Sequence, residues 1–131
     1  MLQLQDLQVA LDADAGLVKA LDGVSLTLQR GETFALVGES GCGKSMTALA
    51  IMRLLPDNGR VMRGRVAFSN KVPDAKPNEL LALPESSMRR VRGGRVGIIF
   101  QEPATSLNPV MRVGDQIVEA IEAHTGLRGL Q

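Results

Sequence analysis

The chain has 131 residues, 44% hydrophobic and 22% charged, with 15 basic and 14 acidic side chains and a formal net charge of +1. That length suffices for one domain with a real core, and the charge balance excludes binding of nucleic acid or anionic lipid by bulk electrostatics. Cys42 and His124 are the only residues of their kinds, which excludes an internal disulfide, favours a reducing compartment and leaves no basis for a protein-built metal site.

The amino terminus, Met1-Leu2-Gln3-Leu4-Gln5-Asp6, lacks the basic start and unbroken apolar stretch of a secretory signal. No run of about 18 apolar residues is present to span a bilayer. A soluble protein is expected, which leaves docking onto a membrane protein open. Leu2, Leu4, Leu7, Val9 and Leu11 alternate with polar residues and change phase near Asp6, predicting a half-buried strand with a bulge. Asp12 to Gly16 reads as a turn. Val24, Leu26 and Leu28 alternate with Ser25, Thr27 and Gln29, so the two segments predict an antiparallel, one-sided sheet. Arg30-Gly31-Glu32 then turns the chain into the apolar run Thr33–Val37, which predicts a strand covered on both faces.

Gly38-Glu39-Ser40-Gly41-Cys42-Gly43-Lys44-Ser45 follows directly and fits G-x-x-x-x-G-K-[ST], a phosphate-binding loop. Its chemistry can be read from the residue types. Glycines let the backbone approach an anion closely, and successive N–H groups form a nest around it. The following helix adds its positive end. Lys44 supplies a point charge for the β- and γ-phosphates, and the Ser45 hydroxyl suits one coordination position on Mg²⁺. Cys42 reads as a small filler in the loop rather than a nucleophile.

Beyond the loop, Ala48, Ile51, Met52 and Leu55 recur at helical spacing and Pro56 ends the helix. Asp57-Asn58-Gly59 is a turn signal and Val61–Phe68 a further strand. Ser69 to Asn78 is polar with two prolines and reads as a loop. Pro84 opens a short helix through Arg92, closed by Gly93-Gly94. The basic cluster Arg89, Arg90, Arg92 and Arg95 reads as a solvated helix face and loop. Val96–Phe100 predicts a second buried strand, ending at Gln101-Glu102-Pro103. A last helix carries Val113, Ile117, Val118 and Ile121 on one stripe and stops at Thr125-Gly126. No internal repeat or low-complexity tract is present.

Gln101 stands at the carboxyl end of an expected parallel strand, facing the crevice where such sheets bind ligand. Its amide oxygen can coordinate a metal and its nitrogen can hold a water. With these features the chain resembles the ATP-binding subunits of bacterial ABC transporters, in the oligopeptide, dipeptide and nickel importer branch. Four stretches carry the likeness: Ala20–Leu26, Leu36–Ser45, Arg90–Pro103 and Thr105-Ser106-Leu107-Asn108-Pro109. The last is the discriminating one. The similarity runs in register from about Leu2 to about Gly126.

The resemblance implies an α/β fold of the P-loop NTPase (ABC ATPase) type, with an N-terminal antiparallel β subdomain and an incomplete parallel core sheet flanked by helices. Residues 1–131 would form the N-terminal part of one nucleotide-binding domain. It implies that Gly38, Glu39, Ser40, Gly41, Cys42, Gly43, Lys44, Ser45, Met46 and Gln101 bind ATP, with Ser45 and Gln101 on Mg²⁺. The expected partners are transmembrane permease subunits, met through about Gln101–Val113, a second ATPase subunit or fused half and, indirectly, a solute-binding protein. Nucleic acid is not expected. The expected location is cytoplasmic, peripheral on the inner face of the cell membrane.

Two departures from the family pattern stand out. The family stacks adenine on an aromatic in the early loop, whereas Phe34, Phe68 and Phe100 are the only aromatics here and none precedes residue 33. Leu11 or Ala15 stands in the equivalent place, so a stacking contribution of about 1–3 kcal/mol per base shrinks and weaker adenine selectivity is expected. Further, the 131 residues contain no Leu-Ser-Gly-Gly signature, no acidic strand with a catalytic glutamate and no switch histidine. Asp115, Glu119 and Glu122 on the last helix read as a solvated face. No residue qualifies as a general base, so no catalytic residue is expected in this chain. Alone it should bind nucleotide poorly and hydrolyse it negligibly. Missing parallel strands would leave apolar edges open, and a fragment of a longer protein is the favoured explanation.

Other readings stay open. A P-loop kinase would want an arginine-rich lid, and a GTPase an Asp-x-x-Gly after the second buried strand, where Gln101-Glu102-Pro103 stands instead. A nucleotide-binding fragment without its own activity, or an ABC ATPase for another substrate, remains an alternative.

Overall fold

The computed structural model describes residues 1–69, 77–102, 106–125 and 127, which fall into two compact units, Met1–Leu83 and Pro84–Gln131. In the first, β1 (Leu2–Ala13) and β2 (Gly16–Leu28) form the expected antiparallel hairpin, turning at Asp14-Ala15. On its other edge β1 pairs antiparallel with β3 (Gly59–Phe68), which pairs in turn with the two-residue β4 (Asn78–Glu79). The order is β2-β1-β3-β4. β1 is central, and its apolar residues dominate the core: Leu4, Leu7, Val9 and Ala10 are buried with Leu21 of β2 and Val66 of β3.

The phase change at Asp6 is a bulge with a physical cause. Asp6 takes φ 47°, its N–H donates to Ser25 Oγ at 2.9 Å, and the β1–β2 register shifts between Leu4 and Leu7. The extra residue puts both Leu4 and Leu7 inside, which strict alternation would forbid. Gly64 of β3 lies so close that a Cβ there would stand 2.5 Å from the Asp6 carbonyl oxygen.

Helix α1 (Lys44–Met52) buries Thr47, Ala50 and Met52. Of the expected stripe Ala48, Ile51, Met52 and Leu55, only Met52 is buried; the packed face is rotated toward Thr47 and Ala50. Nor does Pro56 end the helix. Arg53 does, in the left-handed conformation (φ 52°, ψ 45°), with Leu54 N–H donating to Leu49 O at 2.9 Å, a closure glycine usually makes. The Arg53 guanidinium donates to Leu83 O at 2.6 Å, beside the 3₁₀ turn Leu80–Ala82 that buries Leu80. The turn at Asp57-Asn58 leads into β3 as expected, closed by Gly59 N–H donating to Pro56 O at 2.7 Å. Most of the expected loop Ser69–Asn78 lies outside the described residues.

In the second unit α2 (Glu85–Val91) starts after Pro84 and buries Met88 and Val91. Its basic cluster is the solvated face expected: Arg89 and Arg90 are exposed, and Arg92 and Arg89 pair with Glu85. Helix α3 (Val113–Thr125) buries no residue, and Val113, Ile117, Val118 and Ile121 are all exposed.

Two expected strands need correction. Among the described residues neither Thr33–Val37 nor Val96–Phe100 forms a ladder, apart from one isolated bridge between Arg92 and Val96. Val37 is 87% and Ile99 92% exposed. An apolar run sets the character of a strand, but its existence depends on hydrogen-bonding neighbours, and the described residues offer these two runs none.

Candidate functional site

Residues 38–45 lie between the extended segment after β2 and the first turn of α1, and their geometry is set locally. Gly43 is the N-cap of α1 at φ 93°, a conformation costly for any side chain. A Cβ there would also stand 2.6 Å from Leu21 Cδ2 and 2.7 Å from the Ala20 carbonyl oxygen, so the loop sits directly on β2. At Gly38 a Cβ would meet Cys42 Sγ at 2.6 Å. This contact gives Cys42 its filler role: the thiol occupies the space a side chain at 38 would need.

Lys44, the first residue of α1, folds back over the loop. Its ammonium donates to Gly38 O at 2.7 Å and Glu39 O at 2.6 Å, with Cys42 Sγ at 3.4 Å. Those three partners match the three donors of a lysine. Behind it, Thr47 N–H and Oγ1–H both donate to Gly43 O, at 2.8 and 2.9 Å, which pins the N-cap carbonyl away from the loop's concave side.

The helix start is electrostatically open. The first N–H groups of an α-helix lack intrahelical acceptors and carry about half a positive charge between them. Here no side chain caps them and no acidic residue stands in the first turn. A polar, positively biased helix end, crossed by a lysine and backed by unhindered glycine backbone, is chemically an anion seat.

Ser45 is exposed in the first helical turn and offers a neutral hydroxyl oxygen beside the anion seat. Among the described residues no group of three or more His, Cys, Asp or Glu could form a protein cage, so the loop's own donor fits an ion such as Mg²⁺ that takes most of its ligands from phosphate and water. Gln101, exposed in the second unit, also carries a neutral amide oxygen. The structure brings the ten residues' loop members, Gly38 to Met46, together, while Gln101 belongs to the other unit. The early-loop residues are also placed. Leu11 pairs with Val18 near the end of β1, half-buried, with Gly59 alongside, and Ala15 is exposed in the hairpin turn.

Sequence reasoning missed Gln116. From the first turn of α3 its amide nitrogen donates to Asn108 O at 3.1 Å and Met111 O at 3.2 Å, and its oxygen accepts from Asn108 N–H at 2.9 Å. Asn108 Oδ1 in turn accepts from Val110 N–H at 3.1 Å. This staple shapes residues 108–111 of the surface expected to meet a permease. The Asn108-Pro109 dipeptide is a turn signal, but nothing local marks Gln116 as its partner. Of the stretch Thr105–Pro109, Thr105 lies outside the described residues, as does Pro103.

A second concavity, a cavity of about 560 Å³ along β3, is lined by Arg53, Arg60 and Arg63 among others. Its arginines are engaged, Arg60 with Asp12, Arg63 with Asp6 and Arg53 with Leu83 O.

The site therefore has the sequence and the local geometry of a phosphate-binding loop on a helix N-terminus, the defining feature of P-loop nucleotide-binding folds. The ABC transporter family pattern matches residues 21–130, and the chain belongs to that family. Its relatives include the dipeptide transport ATP-binding protein DppD of Bacillus subtilis, 46% identical over 125 residues. The oligopeptide transport ATP-binding protein OppD of the same species is 45% identical over 125 residues. The glutathione import ATP-binding protein GsiA of Salmonella typhimurium is 46% identical over 127 residues. These matches cover 95% of the chain against 35% of DppD, 95% against 33% of OppD, and 96% against 20% of GsiA, so the chain spans between a fifth and about a third of their lengths. Among solved structures, the dimeric structure of MJ0796, a bacterial ABC transporter cassette, matches with a TM-score of 0.74 at 21% identity, over 100% of this chain and 50% of that one. The same cassette in a post-hydrolysis state bound to ADP and Pi gives 0.76. The fold class expected from the sequence is thus the fold observed in those cassettes. No helix among the described residues is long and apolar enough to cross a membrane.

Proposed function

We propose that this chain is part of the ATP-binding subunit of an importer for peptides or a related small solute, and that both compact units belong to one nucleotide-binding domain. The observation that carries the reading is Lys44 lying across the loop at the uncapped, acid-free start of α1. The transport functions in the names of DppD and OppD support the choice of cargo class.

In this reading Gly38 to Met46 bind the phosphates of ATP. The Lys44 ammonium exchanges the carbonyls of Gly38 and Glu39 for phosphate oxygens, moving from neutral acceptors to charged ones, which form the stronger hydrogen bonds. Thr47 holds the Gly43 carbonyl outward, so the loop presents donors to the anion. Ser45 and Gln101 would hold Mg²⁺, which neutralises phosphate charge when bound. Gln101 also orients water through its amide nitrogen. The chain supplies the binding half of a phosphoryl-transfer site, and no catalytic base is assigned within it. The segment around Gln101–Val113 meets transmembrane permease subunits, a second ATPase subunit or fused half completes the ATP sandwich, and a solute-binding protein is an indirect partner. The protein sits in the cytoplasm, on the inner face of the membrane.

The test is nucleotide affinity of the full-length protein, wild type against Lys44→Ala, with and without Mg²⁺. Removal of a charge-assisted pair predicts a roughly 10- to 100-fold loss in ATP affinity, together with loss of turnover. Unchanged affinity in Lys44→Ala would rule the reading out.

A further inference from the structure

His124 is the only histidine of the chain, and nothing in the proposed nucleotide site uses it. It stands in the last turn of α3, with its ring over the turn that follows α2. A Cβ on Gly93 would collide with His124 Nε2 and lie 3.0 Å from both Cδ2 and Cε1. One on Gly94 would lie 3.6 Å from Nδ1. The imidazole therefore occupies the place of a side chain at Gly93 and lies in ordinary contact with Gly94, where a Cβ would be blocked by the Arg90 carbonyl oxygen at 2.7 Å, while His124 keeps an exposed face. The turn beneath it is well closed. Gly93 N–H donates to Val96 O at 2.9 Å, and Arg95 and Val96 N–H donate to Val91 O at 2.9 and 3.0 Å. Gly93 itself has φ +74°, so backbone and contact both select glycine there.

The consequence lies in the topology. Chain leaving the Gly93–Gly94 turn runs through Val96–Phe100 to Gln101, enters α3 under the Gln116 staple, and returns to the same turn at His124. Since α3 buries none of its own apolar stripe, core packing does not anchor it. Closing a circuit at its far end removes conformational freedom from the chain that enters α3. We infer that His124 is a positioning residue: its ring, seated on the Gly93–Gly94 turn, latches the end of α3 and thereby fixes residues 106–113, which lead into that helix. The significance of that segment, though not the latch, rests on the proposed function.

The experiment uses the full-length protein with His124→Ala, Gly93→Ala, the double variant and His124→Phe, which keeps a flat ring. Amide exchange of residues 113–125 is expected to speed up on the order of tenfold in either alanine variant. The double variant should be no worse than the more affected single one, because one contact is lost twice. His124→Phe should restore most of the protection. With permease present, His124→Ala should lower kcat several-fold while the KM for ATP stays within about twofold. Additive losses in the double variant, unchanged exchange in His124→Ala, no restoration by phenylalanine, or a KM that rises with the fall in kcat would each overturn the latch. Should Gly93→Ala fail to fold, the contrast between His124→Ala and His124→Phe decides alone. The exchange readout needs no nucleotide, so a failed latch is distinguishable from failed ATP binding, which Lys44→Ala reports.

Discussion

The β1–β3 sheet and helix α3 both carry clear apolar faces, yet only the sheet buries its own. Leu4, Leu7 and Val9 are at most 1% exposed, whereas Ile117 and Val118 of α3 are 54% and 44% exposed. The difference follows from where each partner comes from. β1 meets β2 through a two-residue turn and β3 only after β2, residues 29–43 and α1, but both partners lie within its own compact unit. Helix α3 finds no such cover among the described residues, and its side-chain ties include the polar staple at Gln116 and the ring of His124. An amphipathic pattern specifies a face to be covered; it does not supply the cover.

The comparison can be broken at several points. The largest effect is expected from Leu7→Ala, at the centre of β1. Loss of a fully buried leucine predicts about 2–5 kcal/mol of destabilisation, measured as a fall in the denaturation midpoint with unchanged slope; a shift below about 1 kcal/mol would mean that the sheet core is loosely packed. A smaller effect is expected from Gln116→Ala, which leaves the Asn108 and Met111 carbonyls to solvent. It should cost on the order of 1 kcal/mol and appear as faster amide exchange confined to residues 108–116. Global acceleration would place Gln116 in the core of its unit instead. The smallest is expected from Ile117→Ser in the 131-residue chain, within about 0.5 kcal/mol as for an ordinary surface change. A loss comparable to that of Leu7→Ala would show that α3 is packed after all and would dissolve the contrast.

Surface ion pairs do not account for the sheet's advantage. Arg60–Asp12, Arg63–Asp6 and Lys19–Asp22 are all largely exposed, and pairs of this kind contribute between nothing and about 1 kcal/mol each. Burial along β1 carries the stability.

The turn geometry of residues 38–45 was legible because most of it is local, in glycine permissiveness, an N-cap and a lysine one residue later, although the contact of Gly43 with Leu21 and Ala20 of β2 was not. The bulge at Asp6 was legible for a related reason, since a period of two cannot hide a phase slip. Other features needed distant partners. The left-handed Arg53 is held by the carbonyl of Leu83, and no propensity predicts that conformation for arginine. Strand β4 is two residues long and exists only because β3 offers an edge. Glycines 93 and 94 read as a helix stop, which they are, while the ring resting on them comes from the far end of another helix.

By itself, then, the sequence determined the glycine-rich turn, the antiparallel hairpin, the existence of the helices and the family. These depend on short-range periodicity and on residue types with only one physical use at that spacing. Tertiary structure decided which apolar runs became strands, which stripe stayed open, and which side chain ties residues 108–111 to α3. A ladder, a covering layer and a packed ring each require a partner whose position along the chain no local pattern records.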